Sequence, residues 1–336
     1  MTQPIKQSGP YGGLTPEQTE TFWRDGYLIL PNALPPTTTQ ALLDETHALL
    51  DSFSLDDHPM TKFSTGEKSE HVGDDYFLES GDKVRFFFEE DAFSPETGEL
   101  VKPKARAINK IGHYLHSLSP PFASLLDPAL NPDLLGAATT GGSVEAGRKE
   151  SHPAAIARAL GFKDPRVLQS MVICKQPEIG GAVPPHQDST FLYTNPPSAV
   201  GFWYALEDAT VENGCLSFLP GSHRWAPTKQ RFVRAGQGQG TTFIDTDGPR
   251  FPNDSEFGER LKGDADAENG DYKLGEVKAG SLVLIHGNLL HKSEKNLSQK
   301  GRIIYTFHVI ESEGTTYDER NWLQPPAEGF TKLYRD

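Results

Sequence analysis

Cysteine is scarce in this chain of 336 residues, which contains only Cys174 and Cys215. The two cysteines lie 41 positions apart and form no Cys-x-x-Cys motif. A chain of this length can bury a sufficient apolar core without a disulfide framework. Both cysteines stand in apolar, strand-like runs, so we interpret them as inert buried thiols and expect a reducing compartment.

Long apolar runs and basic clusters are missing as well. No stretch approaches the roughly eighteen apolar residues of a transmembrane helix, and residues 1–13 contain no apolar core of a signal peptide. The chain has 46 acidic and 32 basic residues, a net charge of −14 that would repel a phosphate backbone. We therefore expect neither a nucleic acid nor a membrane as partner, and a cytoplasmic location; the sequence does not indicate an oligomeric state.

The first half of the chain shows mainly helical patterns. Residues 1–14 are predicted to be a flexible N-terminal arm. Thr15-Pro16-Glu17-Gln18 then offers an N-cap, a proline at the first helical position and a capping-box glutamine, and this helix is predicted to end near Gly26. Further helices are predicted over residues 36–50, 105–118 and 152–160, strands over 27–30 and 83–89, and loops over 51–75 and 131–151.

The second half changes to short runs rich in β-branched and aromatic residues, separated by turn signals such as Asn213-Gly214 and Pro220-Gly221. This succession of short strands and turns is typical of an antiparallel double-sheet jelly roll. The sequence therefore predicts a mainly β fold with flanking helices, a cupin-like double-stranded β-helix, within a single domain over residues 15–336. The predicted strands cover residues 168–176, 199–206, 215–219, 281–286 and 302–310.

The run Pro184-Pro185-His186-Gln187-Asp188 places an imidazole and a carboxylate two positions apart, on the same side of an extended backbone. Two histidines and one carboxylate form the facial triad of non-haem iron enzymes, which leaves three positions of an octahedral ion open. A third ligand from a distant strand is available in His286 or His291. Taken alone, the His-x-Asp pair is more typical of a surface turn after Pro184-Pro185.

Cations that face such an ion could bind an anionic cosubstrate. Arg302 follows in the next predicted strand, and its guanidinium suits the far carboxylate of a dicarboxylate. From spacing alone, an ordinary surface arginine at a strand end is as good an interpretation. His308 shares strand parity with Arg302, so it is a candidate to line the same pocket.

Many short segments, in the same order, resemble the phytanoyl-CoA dioxygenase (PhyH) family, and the resemblance extends over about residues 15 to 334. The segments that carry it include Gln169-Ser170-Met171, Lys175-Gln176-Pro177, His186-Gln187-Asp188, Glu212-Asn213-Gly214-Cys215-Leu216, Pro220-Gly221-Ser222-His223, His291-Lys292-Ser293, Tyr305-Thr306-Phe307-His308 and Asn321-Trp322-Leu323-Gln324-Pro325.

The resemblance implies an Fe(II)- and 2-oxoglutarate-dependent dioxygenase that uses O₂ to oxidise a small-molecule substrate. It favours His291 over His286 as the third ligand, because His291 precedes Arg302 by the spacing that the family uses. It further implies the following roles: iron ligands His186, Asp188 and His291, and 2-oxoglutarate contacts Lys110, Met171, Trp203, Ser293 and Arg302.

For several of these positions, the residue type alone is also compatible with a purely structural role. Lys110 falls in the predicted helix over residues 105–118, where a solvated lysine is the usual case, and Met171 and Trp203 suit ordinary core packing. Two other functions would use the same triad: a zinc-dependent hydrolase with a metal-bound water, and a non-catalytic jelly-roll binding module that is stabilised by its metal. No feature of the sequence identifies the primary substrate.

Overall fold

The computed structural model describes residues 12–63, 74–127, 129–131, 150–236, 239–246 and 270–335. Within these ranges the helices lie almost wholly in the first half and the strands mainly in the second. The α-helices are α1 (Pro16–Asp25), α2 (Pro36–Ser52), α3 (Asp75–Leu78), α4 (Leu115–Leu118), α5 (Pro120–Ala123) and α6 (His152–Ala159).

The strands form two main sheets and two short two-stranded ribbons. Their bounds are β1 (Tyr27–Leu30), β2 (Lys62–Phe63), β3 (Val84–Glu89), β4 (Ile108–His113), β5 (Pro165–Lys175), β6 (Val183–His186), β7 (Thr194–Asn195), β8 (Val200–Ala205), β9 (Leu216–Phe218), β10 (Gln230–Arg234), β11 (Thr241–Asp245), β12 (Lys273–Gly275), β13 (Leu282–His286), β14 (His291–Ser293), β15 (Arg302–Glu311), β16 (Thr316–Tyr317) and β17 (Thr331–Lys332).

The larger sheet has the strand order β1-β13-β8-β15-β5-β4-β3-β2, with β17 added beside β5. All of its pairings are antiparallel except that of β2 with β3. The smaller sheet has the order β12-β9-β14-β6. Side chains of both sheets share one apolar cluster, in which Trp203 and Val283 of the larger sheet meet Leu216 and Phe218 of the smaller. The two sheets therefore pack face to face, as the predicted jelly roll requires.

Strand β15 shows why the sequence forms this core. Tyr305, Phe307 and Val309 alternate along it and pack into the largest apolar cluster, together with residues of α2, α5 and α6. The residues between them point to the other face, toward the smaller sheet. That second face carries Arg302 and His308 as well as Ile304, so polar groups are buried inside the double-sheet core.

Several of the sequence predictions are confirmed. Thr15 caps α1 and forms the capping box with Gln18, and Gly26 ends the helix with a φ of 82°. The predicted strand 27–30, the helices over 36–50 and 152–160 and the five strands of the second half are present, with ends shifted by a few residues. Of the predicted arm and loops, residues 1–11, 64–73 and 132–149 lie outside the described part of the chain.

The predicted helix over 105–118 is wrong. Residues 104–106 form a short 3-10 turn, Ile108–His113 form β4, and only Leu115–Leu118 are helical. Strand β4 lies between β3 and β5 and is buried on both faces, so its apolar residues do not alternate with polar ones. Without that alternation a short apolar run cannot be distinguished from a helix by its pattern. Among the described residues, no helix combines the length and apolar character that a membrane crossing requires.

The capping box gives the first testable prediction. Thr15→Ala removes the side-chain oxygen that accepts from the Gln18 amide and should lower the free energy of unfolding by about 1 kcal/mol. Urea denaturation measures the change. The matched control is Glu20→Ala, an exposed substitution in the same helix, which should change stability by less than about 0.5 kcal/mol. Equal stability of wild type and Thr15→Ala would contradict the assigned cap.

Candidate active site

A cavity of about 530 Å³ opens between the two sheets. All eight residues that the sequence analysis singled out for the metal and the cosubstrate line it. They are His186, Asp188, His291, Lys110, Met171, Trp203, Ser293 and Arg302.

His186, Asp188 and His291 meet at one end of this cavity. His186 ends β6 and His291 begins β14, and the antiparallel register places these two residues directly opposite each other. Asp188 opens the short 3-10 turn that follows β6. Its Oδ1 lies 3.6 Å from His186 Nε2 and 3.7 Å from His291 Nε2. One possible ligand atom from each residue falls within 4.8 Å of the others, a spacing that can accommodate one metal ion.

The backbone fixes which imidazole nitrogens face Asp188. His186 Nδ1 donates to the Pro184 carbonyl at 2.9 Å, and His291 Nδ1 donates to the Leu289 carbonyl at 3.0 Å. Each Nε2 is then unprotonated and turned toward the carboxylate, as in a histidine prepared for metal binding. Burial lowers the pKa of His291 to about 4, which keeps its ring neutral at pH 7. These donors fit a divalent ion of the kind that facial triads bind.

His308 engages the other oxygen of Asp188. Its Nε2 lies 3.2 Å from Asp188 Oδ2, while Asp188 Oδ1 faces the two histidines. Burial opposes ionisation of Asp188, but the neighbouring imidazoles of His291, His308 and His186 keep the pKa of this carboxyl well below its usual range. Strand parity with Arg302 placed His308 among the candidates for the pocket, but the sequence did not indicate its contact with Asp188.

Gly201 lies beside this contact, as the cross-strand partner of His308 on β8. A Cβ atom at this position would lie 3.4 Å from both Asp188 Oδ2 and His308 Nε2. These are ordinary van der Waals distances, so a methyl group fits here, whereas a larger side chain would press on the contact between the carboxylate and the imidazole.

The opposite end of the cavity is cationic. Arg302 is only 3% exposed; its Nη1 donates to the Gly214 carbonyl at 2.6 Å, and its Nε has no hydrogen-bond partner among the described residues. The guanidinium carbon lies 5.3 Å from the centre of the Trp203 ring. Lys175 lies directly across from Arg302 on β5, and its Nζ donates to Ser293 Oγ at 2.8 Å. The sequence analysis quoted Lys175 within a motif but gave it no role.

Lys110 reaches the same cavity from β4, which corrects its predicted position on a solvated helix. It is 7% exposed, and its Nζ lies 3.1 Å from the centre of the Phe63 ring. Burial lowers its pKa to about 7, partly offset by Glu89. Glu89, also in the cavity wall, has a pKa raised to about 7 by burial. Sequence reasoning missed this carboxylate, because it ends a strand whose phenylalanines suggested simple core.

The geometry makes a direct prediction for metal binding. His291→Ala should weaken the binding of Ni(II), an air-stable probe, by about 100-fold or more, since one of the three ligands is removed. Calorimetric titration measures the affinity. His286→Ala is the matched control, because His286 contacts Trp23 and His223 and lies outside the cavity wall. Equal losses in the two folded variants, checked by circular dichroism, would contradict the assigned triad.

Comparison with solved structures finds the same fold in proteins of low sequence identity. The epimerase SnoN from nogalamycin biosynthesis, described as non-haem and α-ketoglutarate dependent, superposes with a TM-score of 0.53 at 14% identity, covering 95% of this chain and 98% of SnoN. EctD from S. alaskensis gives a TM-score of 0.54 at 17% identity, covering 96% of this chain and 84% of EctD. At these identities the likeness concerns the fold, and it confirms the predicted jelly-roll class.

Comparison of the sequence with known proteins identifies the family, which the fold comparison alone does not. The profile of the phytanoyl-CoA dioxygenase (PhyH) family matches residues 22–304. Phytanoyl-CoA dioxygenase domain-containing protein 1 of Bos taurus is 40% identical over 329 residues, which cover 96% of this chain and 99% of the bovine protein. Phytanoyl-CoA dioxygenase of Arabidopsis thaliana is 39% identical, over 94% of this chain and 95% of the plant protein. This chain therefore belongs to the phytanoyl-CoA dioxygenase family.

Proposed function

We propose that the protein is an Fe(II)- and 2-oxoglutarate-dependent dioxygenase that oxidises a C–H bond of a small molecule with release of succinate and CO₂. The observation that carries this proposal is the joining, in one buried cavity, of a His-Asp-His site and a separate cluster of cations. Relatives by fold support it: one SnoN structure contains Fe³⁺ and α-ketoglutarate, and one EctD structure contains 2-oxoglutarate and 5-hydroxyectoine. A cytoplasmic location and a single domain over residues 15–336 stay predictions from the sequence.

The iron would be bound by His186 Nε2, His291 Nε2 and Asp188 Oδ1, the atoms that face one another in the structure. Two neutral imidazoles and one carboxylate would leave the divalent centre with a charge of +1, suited to an anionic chelator. When bound, Fe(II) supplies the redox chemistry by which O₂ oxidises both 2-oxoglutarate and the substrate. His308 keeps Asp188 Oδ2 engaged, so that the carboxylate presents a single oxygen to the site.

The cationic end of the cavity would bind the far carboxylate of 2-oxoglutarate. Arg302 supplies a guanidinium whose Nε has no partner within the described protein, and Ser293 lies two residues after His291 on β14. Charge-assisted hydrogen bonds from such donors are about twice as strong as neutral ones. Lys110 adds a buried positive group when protonated, and Met171 and Trp203 form apolar wall. These residues position the cosubstrate and exclude water from its reacting end.

The buried cations also distinguish this proposal from the two rival functions. Within the described ranges, none of Lys110, Lys175 and Arg302 has a carboxylate oxygen within 4.0 Å. A buried cation without a counter-ion is costly, which supports an anionic ligand at this end of the cavity. A zinc hydrolase has no evident use for a dianion-binding end, and neither has a module whose metal only stabilises the fold.

The proposal predicts turnover that can be measured without the primary substrate. Protein loaded with Fe(II) in air, with ascorbate supplying the two electrons that the primary substrate would otherwise give, should release succinate from 2-oxoglutarate, and Asp188→Ala should abolish this release. Arg302→Leu should raise the KM for 2-oxoglutarate about 10- to 100-fold, the effect of losing hydrogen bonds of about 1.5–3 kcal/mol to a charged group. The matched control is Arg24→Leu, which alters an exposed ion pair with Asp25 and should leave KM unchanged.

A second readout, which does not depend on turnover, is anaerobic titration of the Fe(II) protein with 2-oxoglutarate. A visible charge-transfer band should develop in wild type and be absent in His186→Ala. Absence of both the band and succinate in correctly folded wild type, together with ester or amide cleavage by the zinc-loaded protein, would instead establish the hydrolase.

A further inference from the structure

Lys175 lies at the cationic end of the cavity, at the last position of β5. It is 3% exposed, and its Cα is paired across the sheet with that of Arg302. The two side chains therefore leave neighbouring strands on the same face. The Lys175 ammonium donates to Ser293 Oγ at 2.8 Å and to the Glu294 carbonyl. None of the roles implied by the family resemblance falls on this residue.

Two glycines provide the space that this lysine occupies. A Cβ at Gly214 would lie 3.0 Å from Lys175 Nζ, and one at Gly180 would lie 2.6 Å from Lys175 Cγ. Gly214 also has a φ of 78° and accepts the hydrogen bond from Arg302 through its carbonyl. The turn at Gly214 thus fixes both cations. Any side chain at Gly180 or Gly214 would displace Lys175.

The hydrogen bond from Lys175 determines what Ser293 can do. An ammonium only donates, so Ser293 Oγ must be the acceptor in this contact. The hydroxyl proton of Ser293 is then free to be donated to another group, and Ser293 lines the cavity beside Arg302. Lys175 therefore both turns a neighbouring donor toward the cavity and adds a positive charge to it.

The charges of Lys175 and Arg302 favour an anion at the cationic end of the cavity. Burial, together with the adjacent Arg302, lowers the pKa of Lys175 to about 7, against the opposing effect of Glu89 and Glu294. Two neighbouring cations destabilise each other unless an anion lies between or beside them. A bound carboxylate would stabilise the protonated form of Lys175 and accept hydrogen bonds from Arg302 and Ser293.

We propose that Lys175 is a cosubstrate-positioning residue, which orients the Ser293 hydroxyl and, with Arg302, provides a two-cation subsite for the far carboxylate of 2-oxoglutarate. This inference rests on the proposed function, since it assigns a partner to that carboxylate. It predicts that Lys175 acts on affinity for the distal carboxylate and not on the metal centre.

The test compares Lys175→Met, which keeps an unbranched stem without the charge, with wild type. Calorimetric titration of the Fe(II)-loaded protein under anaerobic conditions gives the Kd for 2-oxoglutarate and for 2-oxopentanoate, which lacks the distal carboxylate. Lys175→Met should weaken 2-oxoglutarate about 10- to 100-fold and leave 2-oxopentanoate nearly unchanged. In turnover, KM for 2-oxoglutarate should rise while kcat stays close to that of wild type.

Two further variants keep the test decisive. Lys278→Met, the same substitution at an exposed lysine, is the control and should change neither affinity. Lys175→Gln retains a donor for Ser293 without the charge, so it should weaken 2-oxoglutarate less than Lys175→Met does; it also serves if the methionine variant does not fold. Equal weakening of both ligands, or no weakening of either, overturns the assignment to the distal carboxylate.

Binding of 2-oxoglutarate and formation of succinate by the wild-type protein distinguish a failure of this inference from a failure of the proposed function. If wild type binds and consumes 2-oxoglutarate while both Lys175 variants match it, only the role of Lys175 is rejected. If wild type neither binds 2-oxoglutarate nor forms succinate, the dioxygenase proposal is rejected, and the role of Lys175 is rejected with it.

Discussion

The antiparallel pairing of β6 with β14 is the constraint on which the site depends. It places two residues that are 105 positions apart, His186 and His291, directly opposite each other. The 3-10 turn after β6 then returns Asp188 to the same point. A register slip of one residue would turn either histidine to the opposite face of its strand. The apolar packing of both sheets, which fixes this register, therefore also determines how the three side chains are grouped.

Strand β15 connects the two ends of the cavity. Its outward residues belong to the main apolar cluster, and its inward residues include Arg302 at the cationic end and His308 at the carboxylate end. Because one strand carries both groups, their separation is set by the rise of the backbone and varies little. The same alternation that stabilises the core thus fixes the distance between the cationic end of the cavity and the His-Asp-His group.

How much could be predicted from the sequence depends on whether a feature is local. The capping box at Thr15, the helix end near Gly26 and the grouping of His186, Asp188 and His291 were predictable, since short motifs or family segments carry them. Strand β4 was not, because burial on both faces removes the alternation that identifies a strand. The placement of Lys175 beside Arg302 was not either: it follows from the pairing register of β5 with β15, which only the folded sheet determines.

The hydrogen bond from His308 to Asp188 Oδ2 limits the number of oxygen atoms that Asp188 can offer to a bound ion. A carboxylate that offered both oxygens to an octahedral ion would, with two histidines, fill four coordination positions and leave only two. A chelating keto acid would then occupy both, and dioxygen would have no place to bind. By engaging one oxygen, His308 would leave Asp188 with a single donor atom for a bound ion and so keep a further coordination position open.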